Sequence, residues 1–290
     1  MDGSRDQFAD MGDEWWRDRR VCQKVSHWLG KHLLGLLLSV RIDGEHQHCV
    51  YTGFLLYHLD HLLWASAGHV IDKIHRVLSN ATTEVIAMRW LDDYGPPGAR
   101  SIPVNHRNLH LFSLPESDID FGVMIISPLE CENMLANPDI AIIGEEVWQR
   151  EPPSHRDGYY LLGYPKEWTS STQDSLADGS VRRSVRAELA CLPVERIEHP
   201  GPAPRGGFWA DPEAFYGQIV PFSGESGPQP VSIKGMSGGL VLSIERDLVN
   251  DGVGFGLVGV QRSWLRRSRK IRAEPMPRIM SRIGEATELE

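Results

Sequence analysis

Three short strings in this 290-residue chain hold side chains that could do chemistry together. SAGHV presents His69, SDIDFGVM presents Asp118 and Asp120, and GMSGG presents Ser237 among glycines. An imidazole can take a proton from a hydroxyl, a carboxylate can hold that imidazole in the useful tautomer, and the activated hydroxyl can then attack a carbonyl carbon. Base, acid and nucleophile are the parts that nucleophilic acyl transfer requires. A glycine-flanked serine by itself is common in turns, so the weight lies in the combination and its order.

The sequence around each candidate predicts an element edge. LLWASA ahead of His69 reads as a strand, and VIDKIHRVL after it reads as a short helix. FGVMII follows Asp120 and GGLVLSI follows Ser237, each a strand-like apolar run. A rigid strand end can present such a side chain to a cleft. GMSGG also fits the G-x-S-x-G elbow of the α/β-hydrolases, but there the acid and the histidine follow the serine, and the last histidine here is His199. The subtilisin order would use Asp43 or Asp60 ahead of His69, yet the chain lacks the alternation of strands and long helices of an α/β sheet.

The order His69, Asp120, Ser237 resembles that of the chymotrypsin-like serine peptidases, and more closely their bacterial Deg-type members than the digestive ones, because Met236 stands where activatable enzymes carry an aspartate. The resemblance implies an all-β fold of two six-stranded antiparallel barrels with a short C-terminal helix around Arg278 to Ile283, to which apolar spacing adds an N-terminal amphipathic helix. It implies Ser237 as nucleophile, His69 as base and then acid, and an aspartate as orienting group. Asp120-Phe-Gly-Val fits the family's strand entry better than Asp118, which stays open as the alternative. The amides of Gly235 and Ser237 would form the oxyanion hole. Val231 would form the base of the primary specificity pocket, with Ser232 and the strand Gln261, Arg262 and Ser263 beside it.

Hydrophobic residues make up 41% of the chain, enough for a sizeable core, and the formal charge of −9 argues against nucleic acid as a partner. LLGLLLSV at 33–40 is too short to span a bilayer and follows charged sequence, so we expect neither a signal peptide nor a membrane segment, and a cytoplasmic location. Cys22, Cys49, Cys131 and Cys191 form no C-x-x-C pair and read as free thiols. His46, His48, His58 and His61 lack spaced Cys or carboxylate partners, and no metal or other cofactor is expected.

Apolar spacing from Phe8 to Leu29, broken only by Asp18, predicts an amphipathic helix over about residues 5–30. Trp16 and Trp28 are its candidates for exposed aromatic surface. The expected divisions are a helical extension at 1–32, a first barrel at 33–140 and a second at 141–290. EEVWQR, GYYLLGYP, SVRAELACLPV and AFYGQIVPF are among the strands expected in the second. The basic segment 262–272 reads as a solvated strand exit or as a docking patch for an acidic regulatory partner, a role the N-terminal helix could share. The expected function is a serine endopeptidase making limited cuts in an intracellular protein or peptide substrate. A catalytically silent binding scaffold and an esterase using the same triad are the alternatives.

Overall fold

The computed structural model describes residues 14–58, 60–91, 102–114, 119–136, 140–148, 158–175, 181–198, 211–223, 232–247 and 252–287. Asp118 and Val231 lie outside them. The chain enters through a 3₁₀ turn, Trp15–Arg17, and helix α1, Arg19–Leu29. This helix starts at Arg19 because Asp18, the residue that interrupts the apolar stripe, is its N-cap, accepting the Arg20 amide at 2.7 Å; residues 5–13 of the expected helix lie outside the described residues.

The first half then runs β1 (Gly35–Ile42), β2 (Glu45–Tyr51), β3 (Phe54–His58), β4 (His61–Ser66), α2 (Gly68–Ser79), β5 (Thr83–Leu91), β6 (Ile102–Pro103), β7 (His110–Ser113), β8 (Gly122–Ile125) and α3 (Pro128–Leu135). After a one-turn helix α4 (Glu145–Trp148), the second half runs β9 (Gly158–Gly163), β10 (Thr169–Ser175), β11 (Val181–Ala187), β12 (Ala190–Arg196), β13 (Phe215–Ile219), β14 (Leu240–Asp247), β15 (Gly252–Leu265), β16 (Lys270–Pro275) and α5 (Met276–Thr287).

The expected all-β fold of two six-stranded barrels is overturned. Among the described residues the structure mixes helices and strands and has one closed six-stranded barrel, in the order β12-β13-β16-β15-β14-β9. The first half instead forms two four-stranded sheets, β2-β1-β5-β6 and β3-β4-β8-β7. The break falls at Thr52, inside the run HCVYTGFLLY that reads as one strand. Thr52 is fully buried, and its hydroxyl donates to the Gly235 carbonyl at 2.9 Å while accepting from the Tyr164 amide at 2.9 Å. The hydrogen bonds of its hydroxyl thus go across to the second half, while its carbonyl accepts from the Ser66 hydroxyl at 2.7 Å, and β2 ends in one sheet and β3 begins in the other.

Other departures are local. EEVWQR yields the short helix α4, which buries Trp148, and SVRAELACLPV splits at Glu188 into a strand of the β10–β11 hairpin and a barrel strand. α3 was not expected from the sequence; Ser127 and Glu130 close a capping box at its start and Pro128 occupies its first turn.

One apolar core runs through both halves, with Leu37, Phe54, Leu56 and Leu63 meeting Tyr160, Leu162, Tyr164 and Leu240. Trp16 is buried in it rather than exposed, and its carbonyl accepts the Tyr160 hydroxyl, whereas Trp28 remains 46% exposed. A second core in the first half centres on Trp64 and Trp90, whose rings lie 5.6 Å apart. No described helix is long and apolar enough to cross a membrane.

Candidate functional site

Strand register brings His69 and Asp120 together. β4 and β8 are antiparallel, with Ser66 opposite Gly122, so the residues just past the end of β4 face those just before β8. His69 follows Ser66 by three residues and Asp120 precedes Gly122 by two. The imidazole Nδ1 lies 2.7 Å from Asp120 Oδ2, and the His69 backbone N–H donates to Asp120 Oδ1 at 2.8 Å.

The second bond also completes a helix. Ala67, the N-cap of α2, has no side chain to cap with, and the Asp120 carboxylate satisfies one of the open N–H groups from across the sheet. One oxygen holds the helix start and the other holds the ring, which fixes both position and tautomer of His69. Burial alone would raise the pKa of Asp120, but the hydrogen bonds and charge of His69, and then the charge of Arg262, outweigh it and hold the carboxyl below its ordinary value. Asp120 is 15% exposed and His69 is 51% exposed, so the acid is sheltered while the ring opens to the cleft.

Ser237 sits in a tight loop leading into β14. Met236 is fully buried beneath it in the barrel core with Ile233, and the Met236 amide donates to the Ile233 carbonyl at 3.0 Å. The flanking glycines answer backbone demands. Gly235 has φ +101° and Gly238 φ +88°, in the region that favours glycine; a Cβ at 238 would lie 2.0 Å from the Ser66 hydroxyl.

The three carbonyls ahead of Ser237 are all engaged, that of Lys234 with the Lys166 amide at 2.6 Å, that of Gly235 with the Thr52 hydroxyl at 2.9 Å and that of Met236 with the Gly239 amide at 2.8 Å. Among the described residues the Gly235 and Ser237 amides have no acceptor. The Ser237 hydroxyl donates to the Arg262 carbonyl at 3.5 Å, at the outer limit of a hydrogen bond and too long to hold the rotamer firmly.

His69, Gly235 and Ser237 line one cleft of about 390 Å³. Its other walls come from His48–Tyr51 of β2, from Val70 and Lys73 of α2, and from Lys166, Thr169–Ser171, Val185 and Lys234. Ser232 and Ser263 are not in its lining. Ser232 donates its amide to Glu167 at 3.1 Å and accepts from the Lys234 amide at 3.2 Å, which uses it to shape the loop. Ser263 lies in β15 opposite Arg272.

Sequence reasoning did not single out Thr52, the three cleft lysines or the place of Arg262 beside the acid. Arg262 Nε stands 3.7 Å from Asp120 Oδ2, and its Nη1 donates to Glu274 at 2.9 Å. Glu274 is fully buried and also pairs with Arg272 at 3.1 Å, which pairs with Asp211 at 2.8 Å; Arg278 of α5 joins the same Asp211. The basic segment is therefore no solvated strand exit at its ends: Arg262 and Arg272 belong to an internal ion network. An arginine in a charge run gives no local signal of this, because its acids lie elsewhere in sequence. All four cysteines are free, with Cys22 and Cys191 buried and Cys49 and Cys131 partly so.

No family model matches the chain, and no curated protein does. Among solved structures it is similar to the Rv3671c protease from M. tuberculosis in its active form, at 14% identity over 92% of this chain and 86% of that one, with a TM-score of 0.45. It is also similar to a catalytically inactive tobacco etch virus protease complexed with substrate, at 12% identity over 85% and 78%, TM-score 0.38. A third is the protease Anisep from Arthrobacter nicotinovorans, at 11% identity over 84% and 90%, TM-score 0.40. At this distance these likenesses carry no inference about the chain's family or activity, and the reading of the site rests on its own geometry.

Proposed function

We propose that the protein is a serine peptidase in which Ser237 is the nucleophile, His69 the general base and acid, and Asp120 the orienting group. The observation that carries this reading is the two-point hold of Asp120 on His69, at 2.7 Å to the ring and 2.8 Å to the backbone, at the mouth of a cleft shared with Ser237 and Gly235. A histidine anchored only to pack a core would not need its ring half exposed beside a glycine-framed serine.

In this mechanism rotation about the Ser237 Cα–Cβ bond carries the hydroxyl from the weak Arg262 contact to the imidazole, which takes the proton as Oγ attacks the carbonyl carbon. The oxyanion is received by the amides of Gly235 and Ser237, the peptide-bond nitrogen leaves with the proton held by His69, and water then hydrolyses the acyl-enzyme by the same steps. The open flank of β15 supports strand addition by the substrate, since its ladder with β14 ends at Val260, Gln261 still bonds to the Gly238 amide and the Gly239 carbonyl, and among the described residues no backbone ladder continues along 262–265 on that side.

The test is labelling with a fluorophosphonate probe, which is expected to modify Ser237 alone. Ser237→Ala and His69→Ala should each lower kcat on the order of 10⁴-fold, and the double variant should be little worse, because the residues act as a unit. Folded protein that stays unlabelled and uncleaving would instead support a binding scaffold.

A further inference from the structure

The charge of the cleft is opposite to that of the molecule. The chain carries a formal −9, yet the residues that line the cleft include Lys73, Lys166, Lys234, His48 and His69 and not one aspartate or glutamate. The nearest acids in sequence are engaged elsewhere: Asp72 accepts from the Ser113 hydroxyl at 2.6 Å, and Glu167 accepts from the Ser232 amide at 3.1 Å.

Among the described residues no carboxylate lies within ion-pair distance of Lys73, Lys166 or Lys234, all three of which are exposed. Lys73 rests its ammonium 5.4 Å from the Tyr51 ring centroid, a contact that steadies the side chain and leaves its charge uncompensated. Three ammonium groups facing one cavity repel one another, and an anionic group between them would relieve the repulsion.

The cleft also has a definite side. The Arg262 carbonyl, on the uncovered flank of β15, faces the Ser237 hydroxyl, and no residue of 261–265 lines the cleft. The acyl part of a bound chain pairs along that flank, so the cleft extends from the opposite side of Ser237. Its walls there are Lys234 and Gly235 just ahead of the serine and Lys73 one helical turn beyond His69, the residue that hands its proton to the departing amine.

Resting on the peptidase reading above, we propose that this cleft receives the leaving-group side of the substrate and selects polypeptides with aspartate or glutamate within the first few residues after the cleaved bond. The three lysines come from α2, from the turn before β10 and from the loop before Ser237, so one acidic side chain can be met from both halves of the molecule.

A peptide library randomised on both sides of the cleaved bond, with products identified by mass spectrometry, tests this directly. Cleavage should favour Asp or Glu over Asn or Gln on the leaving side by about ten-fold, and the preference should shrink as salt is raised. It should fall to near parity in a Lys73→Gln, Lys166→Gln double variant and turn toward Lys and Arg in the matching double glutamate variant. Cleavage with no acidic preference, or a preference unchanged in both double variants, overturns the subsite while leaving the peptidase reading intact. Absence of both cleavage and Ser237 labelling in the parent protein overturns the peptidase reading and the subsite with it.

Discussion

Two sets of cations flank Ser237, and they are in opposite states. On one side Arg262, Arg272 and Arg278 are locked into Asp120, Glu274 and Asp211, with Glu274 fully buried. On the other, Lys73, Lys166 and Lys234 face the cleft and find no acid among the described residues. The difference follows side-chain chemistry. A guanidinium can serve two carboxylates at once and tolerates partial burial, whereas an ammonium on a flexible stem is a hydrated point charge suited to meeting something that arrives from solvent. Positive charge at this site thus divides into a structural network that backs Asp120 and an open set that faces the cleft.

The largest expected effect tests the point where the network meets the site. Asp120→Asn should lower kcat on the order of 10⁴-fold with little change in substrate binding, because an amide there favours the wrong imidazole tautomer. Steady-state kinetics on a peptide substrate measures it, and a loss under ten-fold would remove Asp120 from the mechanism.

Next in size is the network's own centre. Glu274→Gln leaves Arg262 and Arg272 facing a neutral group in a buried place and should cost about 3 kcal/mol in chemical denaturation. A change below about 0.5 kcal/mol would mean that the paired set is no more structural than the open one.

Acid sharpens the contrast further. The carboxyl of Asp211, raised by burial but lowered more by Arg278, the Glu213 amide and Arg272, lies below its ordinary value of 3.8, as does that of Asp120. Groups whose folded values are depressed contribute stability that is present above the ordinary value and lost as pH falls through the folded value. Thermal stability should therefore decline on acidification below about pH 4, and Asp211→Asn should remove part of that decline.

The smallest effect belongs to the cleft. Lys73→Gln should change folding stability by less than about 0.5 kcal/mol, since an exposed unpaired lysine contributes little to the folded state. A loss of 2 kcal/mol or more would show that Lys73 is structural and would erase the distinction between the two sets.

Much of the site was legible in the sequence because its parts are local. His69 and Asp120 each adjoin a strand that its own apolar pattern announces, and the glycines at 235 and 238 mark backbone turns that only glycine takes easily. Asp18, which looked like a flaw in an apolar stripe, is the helix cap, and a capping reading of that residue would have placed the start of α1. Thr52 had no such signal, since a buried threonine inside an apolar run looks like any β-branched strand residue.

The sequence by itself determined which residues could act as base, acid and nucleophile, in what order, and where most of the strands run, since these depend on neighbours a few positions away. The tertiary structure decided how the strands close. Among the described residues it gave one barrel, two four-stranded sheets and the β10–β11 hairpin instead of two barrels, and the first half splits where the Thr52 hydroxyl bonds to Tyr164 and Gly235, more than a hundred residues distant. It likewise decided which cations are spent on buried acids and which stay available, because charge pairing depends on spatial neighbours that no run of like charges in a sequence can reveal.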